Sequence, residues 1–411
     1  MQIYCVGGAV RDQILGLPVV DKDWVVVGAK PEEMLALGYR QVGKDFPVFL
    51  HPDTQEEYAL ARTERKTGPG YHGFVFNTDI SVTLEEDLRR RDLTINAIAK
   101  NHEGQLFDPF DGVKDLHQKV LRHVSESFAE DPVRVLRVAR FAARFEHLGF
   151  HIAPETWVLM RDMVQAGEID ALVPERCWRE FEKALQTDNP QVFISVLHTC
   201  GALKKIMPEM NKLYGVPQNP RHHPEVDTGV HTEMVLKQAA HLTEDPLVRF
   251  AAWIHDIGKG LTDPAELPSH PAHEKRGIAS LEQLGLRLKI PNPFMDLAKM
   301  VVRFHGECHS VMEKDALALL TFIHELDPFR RSERFEQFLL SCIADFKGRT
   351  GFEDQSYPQS QYLAAAVKQL KTLDISAITA QPGVTGAAIK TAIREKQLQA
   401  LQAWLDSDKH S

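Results

Sequence analysis

The chain has 411 residues, 43% hydrophobic and 26% charged, with a formal net charge of −9. At roughly 100–200 residues per domain, this predicts two to four domains of ordinary globular composition. The acidic balance excludes a protein coated in basic residues, so any nucleic acid must meet a local basic patch. The five cysteines (Cys5, Cys177, Cys200, Cys308, Cys342) are scattered and form no C-x-x-C. That excludes a disulfide framework or zinc ribbon and predicts a reducing, cytoplasmic setting. The first residues show no basic stretch followed by an apolar one, so no signal peptide is expected, and no apolar run of about 18 residues predicts a membrane span.

The first hundred residues predict mixed α/β structure. Ile3–Val6 is a short apolar run ending at Gly7-Gly8, and Asp23–Gly28 is a β-branched run with the content of a buried strand. Pro47–His51 and Glu57–Ala61 predict further short strands, and the Gly-rich basic stretch Arg65–Gly73 predicts a mobile loop. From about Leu84 helical patterns dominate. Asp131-Pro132 is a helix start, with the helix running to about His147 and Gly149 near its end. Further helices are predicted over Glu175–Gln186, His231–Leu242, Leu247–Ile257, Ala272–Leu284, Pro293–Phe304 and Phe335–Phe346, and Val216–Glu225 is a linker. Strands followed by a long helical remainder predict an α+β head joined to helical domains.

Asp21 and Asp23 stand at i and i+2 entering a strand, which predicts both carboxylates on one face. Crowded carboxylates repel unless a cation lies between them, and Mg²⁺ takes such hard oxygen ligands. Alone the pair is also compatible with a solvated turn. Gly7-Gly8-Ala9-Val10-Arg11-Asp12 about ten residues earlier adds weight. The glycines let backbone N–H groups approach phosphate, and Arg11 offers a planar donor fork. Arg89-Arg90-Arg91 precedes an apolar segment in which Asp92, Thr94 and Asn96 alternate; a solvated face and a set of ribose and phosphate contacts are both open.

Arg134, Arg137, Arg140 and Arg144 follow at helical spacing, with only Glu130, Asp131 and Glu146 as nearby acids in sequence. An anionic partner, triphosphate or RNA, would relieve their repulsion, and a basic exposed stripe is the other reading open. Asp131 and Arg134 have a sharper reading. An ionised Asp only accepts and an Arg only donates, so the pair matches the amino group and ring nitrogen shared by cytosine and adenine, and mismatches guanine and uracil.

In a second cluster, His255-Asp256 ends an apolar helix and is followed by Ile257-Gly258-Lys259. His231 lies 24 residues earlier; His270, His273, His305 and Asp345 follow. Imidazoles with carboxylates suit a divalent transition metal, which can activate water toward a phosphoester.

Together these motifs resemble the bacterial class II CCA-adding enzymes (tRNA nucleotidyltransferases) over about residues 1–150. The HD motif is similar to that of the long, multifunctional version of that family. The resemblance implies a polymerase-β-like nucleotidyltransferase head with a mixed β-sheet (1–110) and a neck with the base-reading helix (111–150). A helical body and linker (151–225), an all-α HD domain (226–347) and a helical tail (348–411) would follow. It implies addition of two C and one A to the tRNA 3′ end from CTP and ATP, without a template and by two-metal transfer. Asp21 and Asp23 would bind Mg²⁺, and Gly8 and Arg11 the triphosphate. Arg91, Arg137 and Arg140 would contact the nucleotide, and Glu130, Asp131 and Arg134 would read the base. Glu57 is left unassigned as a third carboxylate. In the HD domain it implies 2′,3′-cyclic phosphodiesterase, 2′-nucleotidase and phosphatase activities with Ni²⁺ or a similar ion on His231, His255, Asp256 and Asp345. His255 and Asp256 are catalytic in that scheme; His273 and His305 are second-tier candidates, pocket residues or surface histidines. Monomer and homodimer are both open. Poly(A) polymerases share the head motifs but carry a strongly basic tail, unlike the ending Ala403–Ser411 here.

Overall fold

The computed structural model describes residues 1–42, 48–66, 74–379 and 386–408. The chain divides into two compact units, Met1–Ile206 and Met207–Ser411. In the first, β1 (Gln2–Val6), α1 (Gly8–Ile14), β2 (Asp23–Val27), α2 (Pro31–Ala36), β3 (Arg40–Val42), β4 (Val48–Leu50) and β5 (Glu57–Leu60) come first. The short β6 (Thr63–Lys66) and β7 (Phe74–Asn77), α3 (Leu84–Arg89), β8 (Ala99–Lys100), β9 (Leu106–Phe107) and α4 (Gly112–Gln118) follow. Most of the predicted loop Arg65–Gly73, and Pro47 of the third predicted strand, lie outside the described residues.

Seven strands form one sheet in the order β3-β4-β5-β2-β1-β8-β9. β2 runs antiparallel to β1 and parallel to β5, so the sheet is mixed, as expected. Period 2 sorts its side chains. Tyr4, Val6, Val25, Ala97 and Ala99 pack on one face with Leu88 of α3. Val26, Phe49, Tyr58 and Leu60 pack on the other with Met34 of α2. α3 starts at a capping box: Thr83 Oγ1 accepts from Glu86 N (3.2 Å), and Glu86 Oε2 accepts from Thr83 N (2.8 Å).

Beyond the sheet come β10 (Val120–Leu121), α5 (Val133–Phe145), β11 (His151–Ile152), α6 (Pro154–Gln165), α7 (Pro174–Leu185), α8 (Pro190–Cys200) and α9 (Ala202–Ile206). α5 buries Val135, Leu136, Val138, Ala139 and Ala142 on one side and carries its arginines on the other.

The second unit is helical: α10 (Pro208–Asn211), α11 (Thr228–Leu242), α12 (Pro246–Ile254), α13 (His273–Leu288), α14 (Asn292–His309), α15 (Ala316–Leu326), α16 (Ser332–Lys347), α17 (Pro358–Lys371), α18 (Ser376–Thr379) and α19 (Gly386–Asp408). α11 and α12 begin at aspartate caps, Asp227 accepting from Val230 N (3.0 Å) and Asp245 from Leu247 N (2.8 Å). Val235, Ala239, Ala252 and Ala344 fill the contact among α11, α12 and α16. Three of those four are alanine, which lets the backbones approach closely.

Candidate functional site

The first site is a cleft of about 520 Å³ in the first unit. Nine arginines and only three aspartates (Asp23, Asp92, Asp131) line it. A chain of net charge −9 thus gathers positive charge in one place, which defines the occupant as an anion. Gly8, Arg11, Asp23, Arg91, Asp131, Arg134, Arg137 and Arg140 all line the cleft. Asp21 does not: it is exposed, in the segment ahead of β2, so strand alternation does not fix its side chain as expected.

The register pairs Asp23 with Val6, the residue before Gly7-Gly8. On its other side Asp23 pairs with Glu57 of β5. Asp21 and Asp23 are exposed, and among the described residues neither has an ion-pair partner. Hard, unpaired carboxylate oxygens at the rim of a cationic cleft fit Mg²⁺.

Gly7 has a φ of +69°, and a Cβ there would lie 3.0 Å from Arg91 Nη1. Arg91 reaches Asp87 through Nη2 (3.3 Å), while its Nε is buried without a hydrogen-bond partner. Arg11 is buried: Nε donates to Asp12 (2.8 Å) and Nη1 to Asn96 (2.5 Å). Its Nη2 would lie 3.4 Å from a Cβ on Gly8. Burial lowers the Arg11 pKa, and Asp12 partly offsets this. The missing Cβ atoms and an unsatisfied guanidinium donor make a cradle for phosphate oxygens.

The arginines of α5 line the cleft and are also paired within the protein, which their spacing does not reveal. Each reaches a partner distant in sequence. Arg134 donates to the carbonyls of Ser127 (2.7 Å) and Arg90 (2.6 Å). Arg137 Nε donates to Asp92 (2.7 Å), Arg140 Nε to Glu180 (2.6 Å) and Arg144 Nη2 to Asp12 (2.9 Å). Burial pushes the Asp92 carboxyl up; Arg137, with the Asn96 amide and the Leu93 N–H, more than reverses this and holds it below the ordinary range. Thr94 is excluded from the cleft, its hydroxyl donating to Asp115 (2.7 Å). Asp131 is not alone with Arg134. Arg176 of α7 grips its carboxylate with both terminal nitrogens (3.3 and 2.8 Å). Arg176 and Arg62, which line the cleft, and Glu180, which pairs with Arg140 behind it, are not legible in the sequence because tertiary packing alone brings them there.

The second site gathers five helices of the second unit. His231 near the start of α11, His255-Asp256 just after α12, His273 opening α13, His305 on α14 and Asp345 near the end of α16 converge. His231 Nε2 lies 3.2 Å from Asp345 Oδ1, and His255 Nε2 lies 3.1 Å from Asp256 Oδ2 and 3.5 Å from Asp345 Oδ1. All four residues are buried. Neither oxygen of Asp256 has a well-formed hydrogen bond, although Lys259 Nζ lies 2.6 Å from Oδ2. Burial opposes the charge on Asp256 and Asp345; the neighbouring imidazoles, and Lys259 for Asp256, outweigh it and keep both well below the ordinary range. Ionised carboxylates, imidazoles and an orphaned buried oxygen fit a divalent metal.

Four neighbours, Glu225, His223, His309 and Tyr357, are not candidates in the sequence. Glu225, in the predicted linker, lies 2.9 Å from His231 Nδ1 and 3.1 Å from His223 Nδ1. His309 Nε2 lies 2.6 Å from Asp345 Oδ2, and its Nδ1 lies 2.8 Å from the Tyr357 hydroxyl. A carboxylate only accepts, so His309 Nε2 carries the proton and Tyr357 donates to Nδ1. The spacing of His305 and His309, one helical turn apart, was the available signal. His270 stands aside, bonded to Thr262 (2.8 Å) and the Pro217 carbonyl (3.0 Å).

A mixed-sheet head with an arginine cleft, joined to a helical unit with a His/Asp cluster, defines a nucleotidyltransferase class with an appended HD domain. Family models agree: "Poly A polymerase head domain" matches residues 3–122, "Probable RNA and SrmB- binding site of polymerase A" 149–213, and "HD domain" 228–325. The multifunctional CCA protein of Thioalkalivibrio sulfidiphilus is 59% identical over 403 residues, 98% of each chain. That of Teredinibacter turnerae is 56% identical over 402 residues, again 98% of each. The chain belongs to the multifunctional CCA protein family. The Thermotoga maritima CCA-adding enzyme, solved in complex with tRNA, shares the fold with a TM-score of 0.65 at 21% identity, covering 98% of this chain and 87% of that one. Among the described residues no helix is long and apolar enough to cross a membrane.

Proposed function

We propose that the head adds and repairs the 3′-terminal CCA of tRNA, using CTP and ATP without a nucleic-acid template. The observation that carries this reading is Asp23 set beside the Gly7-Gly8 turn at the rim of a cleft lined by nine arginines. The 3′-hydroxyl of the tRNA gives up its proton to solvent, and its oxygen attacks the α-phosphorus. The new P–O bond forms as the bond to the β-phosphate bridging oxygen breaks, and pyrophosphate leaves. Asp21 and Asp23 hold Mg²⁺, which supplies Lewis-acid stabilisation of the phosphoryl charge. Gly8, Arg11 and Arg91 seat the triphosphate, and Arg137 and Arg140 face the nucleotide. Asp131 and Arg134 read the base. The two carbonyls that grip Arg134 fix its guanidinium plane, and Arg176 fixes the Asp131 carboxylate, which still has lone pairs to accept an amino group. Such groups are pre-oriented before the substrate arrives.

The HD domain, which we place at 226–347, hydrolyses 2′,3′-cyclic and 2′-phosphates at RNA ends. His231, His255, Asp256 and Asp345 hold Ni²⁺ or a similar ion, which supplies Lewis-acid activation of water and phosphoester. Water's oxygen bonds to phosphorus, the P–O bond to one ribose oxygen breaks, and that oxygen takes a proton. Lys259 and Arg349 supply positive charge beside the carboxylates, at 2.6 Å from Asp256 and 3.8 Å from Asp345. The two activities are chemically coherent, since a blocked end must regain its 3′-hydroxyl before addition. The test is a CCA-less tRNA ending in a 2′,3′-cyclic phosphate. His255→Ala should leave that end intact while still extending the same tRNA with a free 3′-hydroxyl. If His255→Ala opens the cyclic phosphate at the wild-type rate, the assignment of the HD site fails.

A further inference from the structure

α16 ends at Lys347, and Gly348 lets the chain leave it flush against α11: a Cβ on Gly348 would lie 2.5 Å from Val235 Cγ2 and 2.7 Å from Val235 Cα. Thr350 is tied down as well, its N–H donating to Glu225 Oε2 (3.3 Å). Between these anchors, the Arg349 side chain reaches the His/Asp cluster. Its Nη2 lies 3.8 Å from Asp345 Oδ1, the oxygen that also faces His231 and His255. It lies 3.4 Å from His309 Nε2, but that nitrogen gives its proton to Asp345 Oδ2 at 2.6 Å and has no lone pair to offer. Arg349 Nε is buried without a hydrogen-bond partner. Phe346 takes the face of the guanidinium, 5.7 Å from its ring centroid, and leaves the donor edge free.

The Arg349 side chain is only 14% exposed, so water reaches few of its N–H groups. Among the described residues none of those groups has a well-formed hydrogen bond. Donors left unmade in the interior are unfavourable, and this fork matches two oxygens of one phosphate. Lys259 cannot serve in the same way, because its Nζ is already held by Asp256 Oδ2 and Gln218 Oε1, each at 2.6 Å.

We infer that Arg349 grips the substrate phosphate in the HD site and makes that site favour a 2′-phosphomonoester over a 2′,3′-cyclic diester. The inference rests on the assignment of the ion to His231, His255, Asp256 and Asp345, and deepens that reading by naming the preferred phosphate. The oxygens make the distinction. A monoester has three terminal oxygens, enough for one at the ion and two on the Arg349 fork. A cyclic diester has only two non-bridging oxygens, so one at the ion leaves one for Arg349. The monoester also carries more negative charge at neutral pH.

The test uses the full chain with Mn²⁺ and two substrates, adenosine 2′-monophosphate and adenosine 2′,3′-cyclic monophosphate. Arg349→Met should raise KM for the monoester by about 10–100-fold and KM for the cyclic diester by several-fold less, with kcat for both little changed. Arg349→Lys keeps the charge but not the fork, and should weaken the monoester while leaving the cyclic diester near its wild-type KM. In an Asp21→Ala/Asp23→Ala background, equilibrium dialysis should find the same Mn²⁺ per chain with and without Arg349→Met. An equal rise for the two substrates, or none, in variants that keep Mn²⁺ would remove Arg349 from the phosphate. Loss of Mn²⁺ in both variants would make Arg349 a support for Asp345 and overturn the inference. Wild-type protein that turns over neither substrate would overturn the HD assignment along with it.

Discussion

Arg137→Ala is the perturbation whose cost the structure defines most closely. Asp92 is buried, at 7% exposure, and its Oδ2 is met by Arg137 Nε at 2.7 Å. Removing one partner of a buried pair costs about 3–5 kcal/mol, because the remaining charge is left in the interior. The Arg137 side chain is 35% exposed, so solvent screening reduces the expected cost to about 2–3 kcal/mol. The pH dependence has a definite sign. In the native protein Asp92 sits below its ordinary range, so its contribution is present above the unfolded-state value and is lost only as pH falls through the depressed one. Without Arg137, burial dominates and pushes the carboxyl up. The deficit is then largest at neutral pH and shrinks as acid neutralises Asp92. Because the chain has two compact units, one global unfolding curve is unsuitable, and hydrogen exchange across α5 at pH 7 and at mildly acidic pH is the better assay. A double-mutant cycle with Asp92→Asn should return about 2 kcal/mol of coupling. Additive effects, or a deficit under about 0.5 kcal/mol that does not change with pH, would refute the reasoning.

Gly258→Ala would place a Cβ 1.9 Å from the His273 carbonyl oxygen and 2.7 Å from Gly277 N. The start of α13 must shift, so metal affinity of the HD site should fall by about 10–100-fold while CCA addition persists; calorimetric Mn²⁺ titration checks this. Gly7→Ala combines a positive φ with a 3.0 Å approach to Arg91 Nη1. It should cost about 1–2 kcal/mol locally and raise KM for CTP and ATP together by about tenfold, seen in steady-state incorporation. Asp131→Ala removes the acceptor that the base-reading hypothesis requires. Single-turnover incorporation should then lose selectivity for CTP and ATP over GTP and UTP, and retained selectivity would rule the hypothesis out. Chelation should abolish both activities, with Mg²⁺ restoring addition and Ni²⁺ or Mn²⁺ restoring phosphoester hydrolysis.

Much of this architecture was legible in the sequence because it is local. β1, β2 and β5 are short apolar runs, α7, α11, α12 and α14 carry helical periodicity with capping or Pro starts, and α16 carries the periodicity without either. α6, α8, α15, α17 and α19 were not singled out; α6 and α8 open at Pro154 and Pro190, a start signal that was available. The residues lining the cleft were legible as motifs, but their bonding was not. Nothing near Arg140 in sequence reveals Glu180, and nothing near Asp131 reveals Arg176, because those pairs form when α7 packs on α5. In the HD cluster, the role of Glu225 was hidden because a Pro-rich segment reads as linker whether or not one of its side chains points inward.

The most direct test of the central claim is incorporation of each nucleoside triphosphate onto tRNA lacking its 3′ CCA, with Asp21→Ala/Asp23→Ala as control. The account predicts two C and one A, then arrest, with loss of incorporation in the variant. A long run of A would contradict it in favour of poly(A) synthesis, and undiminished addition by the variant would remove Asp21 and Asp23 from the chemistry.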